Sequence, residues 1–369
     1  MYGLSRDFVS AWTKSSDQDL TVDSRGWQKD RLRLYTKRDE QRVLQIHQQL
    51  DQDPKTYFSG ASAILQRYRE LYPNSKILSL RFIGRTLAKY GLNKAPKVRR
   101  KGVSRYLHYP EVLINNLGES LLEVDFIGKK FIHGRTQPVH FIAFSLKKPR
   151  KLKYFHRINS ETANEVILHC QQFFKRFERP VVLKLDNGFA FASASRWPRT
   201  LNSVVLFLLK REIIPVFTAP RKPWNQASVE GANSVFARKF WNRFRFENLS
   251  QVDNHLDDFN EAYKNYLDYQ EPCKGSQSKE PFIPRVYFIR KVYEHPKPQR
   301  GYIDIVNEQI FLPKAYIGLF VLAEWNLSDE KLTVYFEKDQ KPKIIKIKRF
   351  ILNPISKQKV VGFHLSHNR

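Results

Sequence analysis

Cysteine is nearly absent from this chain of 369 residues: only Cys170 and Cys273 occur. Two thiols make neither a disulfide framework nor a paired-cysteine zinc site, and such a composition suits a reducing compartment. Cys170 falls in an apolar helical pattern, where a thiol behaves as a small core residue. The ten histidines show no metal-ligand spacing. No apolar run reaches the ~20 residues that a membrane-spanning helix needs, and Met1–Trp12 is too mixed in polarity for a secretory signal. Acid is the scarce charge: 36 Asp and Glu stand against 64 Lys and Arg, a formal net charge of +28. Aromatics are 14% of residues, too many for a disordered basic tail. A folded chain this basic points to nucleic acid as its partner. An anionic membrane surface is the competing partner for such charge, and no membrane is expected here.

Because acids are scarce, those inside apolar stretches stand out. Val181-Val182-Leu183-Lys184-Leu185 reads as a short buried strand running into Asp186-Asn187-Gly188. Taken alone, this is also an ordinary strand ending in a turn. Leu121–Ile127 reads as a second strand, with Asp125 inside its apolar run. After Ala219-Pro220-Arg221-Lys222-Pro223-Trp224-Asn225 comes a helix with Glu230 in its first turns. A carboxylate at the end of a buried strand is costly unless something pairs with it. Three brought together repel, so at least one resists ionising. A divalent metal removes that conflict, because hard cations prefer carboxylate oxygens. Asp125, Asp186 and Glu230 are therefore candidate magnesium ligands. Glu123 shares a strand face with Asp125 and reads as a supporting or exposed residue, with a metal role as the alternative.

Taken in order, residues 1–36 read as a partial helix-turn-helix and a polar linker. Gly3-Leu4-Ser5 forms the turn, and a first helix is missing, although an ordinary helix fits as well. Helices are expected at about 38–50, at about 60–72, and from a Ser79 cap to Gly91. The last carries Arg81, Arg85 and Lys89, and residues 37–95 read as a helix-turn-helix that contacts DNA. A plain three-helix bundle is the alternative. Residues 96–116 form a basic linker in which Arg99, Arg100 and Lys101 track phosphates.

From 117 to 270 the pattern alternates. Strands are expected at 120–127, Val139–Leu146 and Leu152–Ile158, then a helix opened by Ser160 and Glu161, and then the strand ending at Asp186. A helix at about 199–211, a strand Ile213–Thr218, the Glu230 helix capped by Asn225, and a last helix capped by Ser250 complete it. That order is the ribonuclease H-like fold, a mixed sheet with helices on both faces. Residues 271–298 read as a linker with some embedded structure, 299–355 as a small β-barrel with a basic edge, and 356–369 as a basic tail. Arg221, Lys222, Arg238 and Lys239 are candidate phosphate contacts. Trp224 is either a further DNA contact or a hydrophobic staple.

Val124-Asp125-Phe126, Leu185-Asp186-Asn187-Gly188-Phe189, Pro220, Pro223-Trp224-Asn225 and Ser228-Val229-Glu230-Gly231 with Asn233 carry a family resemblance. The segment resembles the catalytic core of the retroviral-integrase superfamily, nearest to DDE transposases of bacterial insertion sequences. With the flanking units, the resemblance covers most of the chain after about residue 60. It departs at Gly231, where a basic or polar residue is more usual, at an enlarged loop Ser193–Pro198, and in having no His-and-Cys zinc module. The resemblance implies a multidomain α/β protein: a ribonuclease H-like core flanked by a helix-turn-helix domain and a small β-barrel. It implies a polynucleotidyl transferase that cuts DNA ends and transfers the freed 3′-hydroxyl into target DNA. Asp125, Asp186 and Glu230 would hold two Mg2+ or Mn2+ ions, with Asp125 bridging them. The implied partners are double-stranded DNA, as element ends and target, and further copies of the chain on that DNA. The implied location is a prokaryotic cytoplasm, at the nucleoid. Two other functions stay open: a transposase-derived DNA-binding protein that no longer cuts, and a structure-selective nuclease on the same fold.

Overall fold

A helical unit precedes one large mixed sheet in the computed structural model, which describes residues 10, 13, 34–53, 55–93, 109–177, 179–191, 197–270, 281–296 and 300–353. Thr36 caps α1 (Lys37–Gln52) in a reciprocal pair with Asp39. Then come α2 (Ala61–Leu71) and α3 (Leu80–Lys89), the latter capped by Ser79 as expected. Their apolar faces close over Val43, Ile46, Ile64, Tyr68, Leu78, Ile83 and Leu87. The connection from Tyr72 to Ser79 is longer than the three- or four-residue turn of a helix-turn-helix. Arg81, Arg85 and Lys89 are exposed on α3, with Lys89 Nζ 2.8 Å from Glu40. Arg99, Arg100 and Lys101 lie outside the described residues, as do the linker before residue 34, the tail after 353, and most of the expected enlarged loop.

After a short helix α4 (Glu111–Asn115), the sheet begins with β1 (Leu121–Lys130), β2 (Val139–Lys148) and β3 (Leu152–Ile158), successively antiparallel. A crossover helix α5 (Ala163–Arg176) leads to β4 (Val182–Leu185), and α6 (Ser203–Leu209) leads to β5 (Ile214–Phe217). β4 runs parallel to β1, and β5 parallel to β4. The order 3-2-1-4-5 is compatible with the ribonuclease H-like core expected from the sequence. A 3-10 turn (Pro223–Gln226) enters α7 (Ala227–Phe236), and α8 (Leu249–Tyr266) packs across β3. Two predicted caps move. Thr162 caps α5 and Asn248 caps α8, because each oxygen reaches the amide three residues on.

The expected linker and barrel are corrected. β6 (Arg285–Lys291) falls inside the expected linker, yet it pairs in parallel with β5 through Val216–Tyr287 and Phe217–Phe288. β10 (Phe320–Asn326), β11 (Lys331–Lys338) and β12 (Lys341–Arg349) then extend the same sheet to nine strands. Before them, β7 (Tyr293–Glu294), β8 (Arg300–Ile305) and β9 (Glu308–Pro313) form a separate three-stranded sheet. Among the described residues no barrel closes: β6 offers the apolar run Val286–Ile289, and β10 completes its free edge. β12 is the outer strand, and its lysines guard the edge against further pairing. The helical unit is joined to the core where Phe58 stacks on Tyr266, 4.5 Å between ring centres, and Tyr57 Oη donates to the His255 carbonyl.

His156 on β3 is wedged against His169 of α5, with ring centres 4.7 Å apart. Burial first, then the neighbouring His169 and Arg176, push His156 down to about 3. The unfolded chain takes its proton near pH 6.5, so between these values only the unfolded state is protonated. Stability should therefore fall as pH drops from about 6.5 towards 3. His156→Gln should flatten that acid limb in a series of melting temperatures against pH; an unchanged limb would remove His156 from the account.

Candidate active site

Asp125, Asp186 and Glu230 come from three elements: mid-β1, the residue after β4, and the first turn of α7. The sheet register sets Asp125 opposite Ala143 of β2, a small neighbour that leaves room over the carboxylate. Its oxygens take neutral donors: the Phe126 amide at 2.9 Å and Asn233 Nδ2 at 3.2 Å. Asn233 stands one turn beyond Glu230 on α7, so the two share a helix face. Burial, then the negative charges of Glu230 and Asp186, push Asp125 up to about 7. Glu230 is also raised, by burial and by Asp186 and Glu123. The fold thus brings the three predicted carboxylates within electrostatic range of one another. Among the described residues, however, no three His, Cys, Asp or Glu side chains form a closed metal-holding group. The three acids form an open cluster.

The loop after Asp186 is held from two sides. Asn187 Nδ2 donates to the Thr218 carbonyl, and Asn187 Oδ1 accepts from Arg290 Nη2 at 3.0 Å. Arg290 is a β6 residue, 8% exposed, whose other bonds go to the Thr218, Ile289 and Asp304 carbonyls. Gly188 carries the turn, Phe191 stacks on Phe126 at 4.8 Å, and Phe189 is 89% exposed beside the cluster.

Asn225 does not cap α7. It lies within the 3-10 turn, where its Oδ1 accepts from the Ala219 amide. The cap comes through space from Glu123, whose Oε2 accepts the Ser228 and Val229 amides at 3.1 and 3.0 Å. Glu123 is 0% exposed, so the exposed reading fails. Its Oε1 lies 3.6 Å from the Nζ atoms of Lys147 and Lys184. Burial lowers both Lys184 and Lys153 to about 8. Trp224 packs edge-on against Tyr109 and Phe320, which supports the hydrophobic role more than the DNA contact. Arg221 is exposed in left-handed backbone, Lys222 is half-buried, and Arg238 and Lys239 follow α7 in a π-helical turn.

Sequence reasoning missed Lys153, Ser145 and Arg290. Arg290 lay in a stretch read as linker, and only pairing across strands reveals the other two. Asn233 had a signal, its spacing of three from Glu230.

The donor set fits a hard divalent cation. Its oxygens are carboxylates, two of them raised by burial and then by their neighbours' charge, and Asn233 Oδ1 is buried beside Asp125 without a hydrogen-bond partner.

No protein-family model and no curated protein matches the chain. Among solved structures, it is similar to the catalytic core domain of BIV integrase, at 21% identity over 41% of this chain and 82% of that one, TM-score 0.26. It is also similar to the simian T-cell lymphotropic virus intasome in complex with the PP2A regulatory subunit B56 gamma. There the identity is 12%, over 80% of this chain and 96% of that one, with a TM-score of 0.35. Likenesses this low carry no argument about what the chain does.

Without metal, ionised Asp125 is a liability. Its pKa is raised on folding, so the stability it offers at low pH is lost as pH rises from 3.8 through about 7. Asp125→Asn should stabilise the metal-free protein at pH 8 by on the order of 4 kcal/mol, read as a higher melting temperature. The gain should shrink towards pH 4. A variant less stable than the parent at pH 8 would contradict the crowding of the three acids.

Proposed function

We propose that the chain is a DNA-cutting and strand-transferring enzyme, a polynucleotidyl transferase of the transposase and integrase kind. The observation that carries this reading is the gathering of Asp125, Asp186 and Glu230, from β1, the end of β4 and α7, in a chain of net charge +28. A site so placed takes a polyanion as substrate and a cation as cofactor. Asp125, Asp186 and Glu230 would hold Mg2+ or Mn2+, two ions in the full reading. Metal bound there supplies the Lewis acidity that activates a water or 3′-hydroxyl and eases the leaving oxygen away. The protein's own part is geometric. Asn233 and the Phe126 amide fix the Asp125 carboxylate, and the Arg290–Asn187 bond holds the strand end at Asp186. Arg81, Arg85 and Lys89 on α3, with Arg221, Lys222, Arg238 and Lys239 around the core, supply cations for phosphates. The DNA comprises element ends and target, the working form is a homo-oligomer on that DNA, and the setting is a prokaryotic nucleoid.

The alternative is a DNA-binding protein that no longer cuts.

Nicking of supercoiled plasmid with Mg2+ or Mn2+ separates the two. Asp125→Asn, Asp186→Asn and Glu230→Gln should each lower the rate by at least about 100-fold while still binding plasmid in EDTA. Variants that cut like the parent would misassign the site, and a parent that binds without cutting selects the second reading. Arg221→Ala and Lys222→Ala should each reduce the log–log salt slope of binding by about 0.9.

A further inference from the structure

Each acid of the proposed site has a neighbour two positions earlier in one buried polar row. Strand register aligns Lys153 with Ser145, Ser145 with Glu123, and Glu123 with Lys184, across β3, β2, β1 and β4. Adjacent strands lie ~4.8 Å apart, so side chains of one such row on one face touch. Glu123 precedes Asp125 by two residues, and Lys184 precedes Asp186 by two. Ser228, two before Glu230, sits on the row from above. Its amide donates to Glu123 Oε2, its Oγ accepts from Lys153 at 2.6 Å and from Ser145 at 2.8 Å, and its carbonyl accepts from Lys153 at 3.1 Å. Lys184 Nζ donates to the Asn225 carbonyl just before the helix. Gln226 Nε2 adds bonds to the Val124 and Lys184 carbonyls, each at 3.4 Å.

We infer that Glu123, Lys184 and Lys153 are positioning residues: their row seats the first turn of α7 on the sheet and thereby sets Glu230 opposite Asp125 and Asp186. The inference rests on the reading of those three acids as the reacting site. Packing alone does not account for the row. Glu123, Lys184 and Lys153 are 0%, 3% and 8% exposed. Taking charges out of water is expensive, and apolar residues of similar volume commonly fill such space at no loss of stability. What apolar residues cannot do is grip a helix end. Two first-turn amides, a first-turn carbonyl and a hydroxyl are all bonded here, which leaves α7 one seat along the strands. The alternation of a strand then carries the effect forward, because residues two apart project from the same face.

The test uses the full chain, supercoiled plasmid and Mn2+. Glu123→Leu with Lys184→Met removes one charge of each sign, so the net charge of the row is unchanged. This double variant should fold and bind plasmid in EDTA as the parent does. Its half-maximal Mn2+-induced rise in melting temperature should need about 10-fold or more Mn2+. Its kcat for nicking should fall about 100-fold with KM for plasmid unchanged. Glu123→Gln keeps an acceptor for the two amides and should retain most of the rate, a rescue that a merely structural role does not predict. A folded double variant with the parent's Mn2+ midpoint and nicking rate overturns the inference. If the double variant does not fold, Lys153→Met is held to the same thresholds. Asp125→Asn as active as the parent sinks the functional reading itself, whereas an inactive Asp125→Asn beside a fully active double variant sinks only the positioning role. A parent that does not nick leaves the Mn2+ midpoint to decide, and one with neither response overturns both.

Discussion

β1 and β4 pair in parallel through Leu121–Val182, Leu122–Leu183 and Glu123–Lys184. This register decides which face every acid of the cluster meets. A slip of one residue would turn Asp125 and Asp186 to opposite sides of the sheet and set Glu123 against Leu183 or Leu185. The pairing is non-local and needs a crossover. α5 provides it, and Val166, Cys170 and Phe173 lock that helix against the sheet. The core thus works as a jig: apolar contacts on the α5 side fix a polar arrangement on the α7 side.

The electrostatic contrast within the molecule follows from that division. The chain carries 64 Lys and Arg, yet the hydrogen-bond partners of Asp125 are an amide N–H and an asparagine. A lysine or arginine beside it would hold the carboxylate ionised but would compete with any incoming cation. The buried cations stand one row away, bonded to Glu123, to serines and to backbone. They stiffen the site without neutralising it.

Much of this was readable before any fold was known. Val182–Leu185 and Leu152–Ile158 are strands because β-branched and aromatic runs favour the pleated sheet, and the three acids were conspicuous for interrupting or ending apolar runs. Caps were less legible, since Ser, Thr, Asn and Asp crowd the same turns; Asn225 had the right identity, but a carboxylate from another strand took the helix end. Glu123 could be assigned a face by alternation, whereas its burial depended on the alignment of four strands. After residue 300 the local pattern again gave strands, but a strand does not say which edge it will join. The apolar run in β6 found the free edge of β5, and the rest followed.

The joining of β6 to β5, with Arg290 reaching back to Asn187, bears on how such a protein can be dissected. A truncation after the last core helix looks natural on paper. It would bare β5 as an open edge, inviting aggregation, and would unpin the turn that carries Asp186. Lost activity in that fragment would then report a damaged centre, not a missing grip on DNA. The gene's tidy modular outline and the mechanical unit it encodes have different borders.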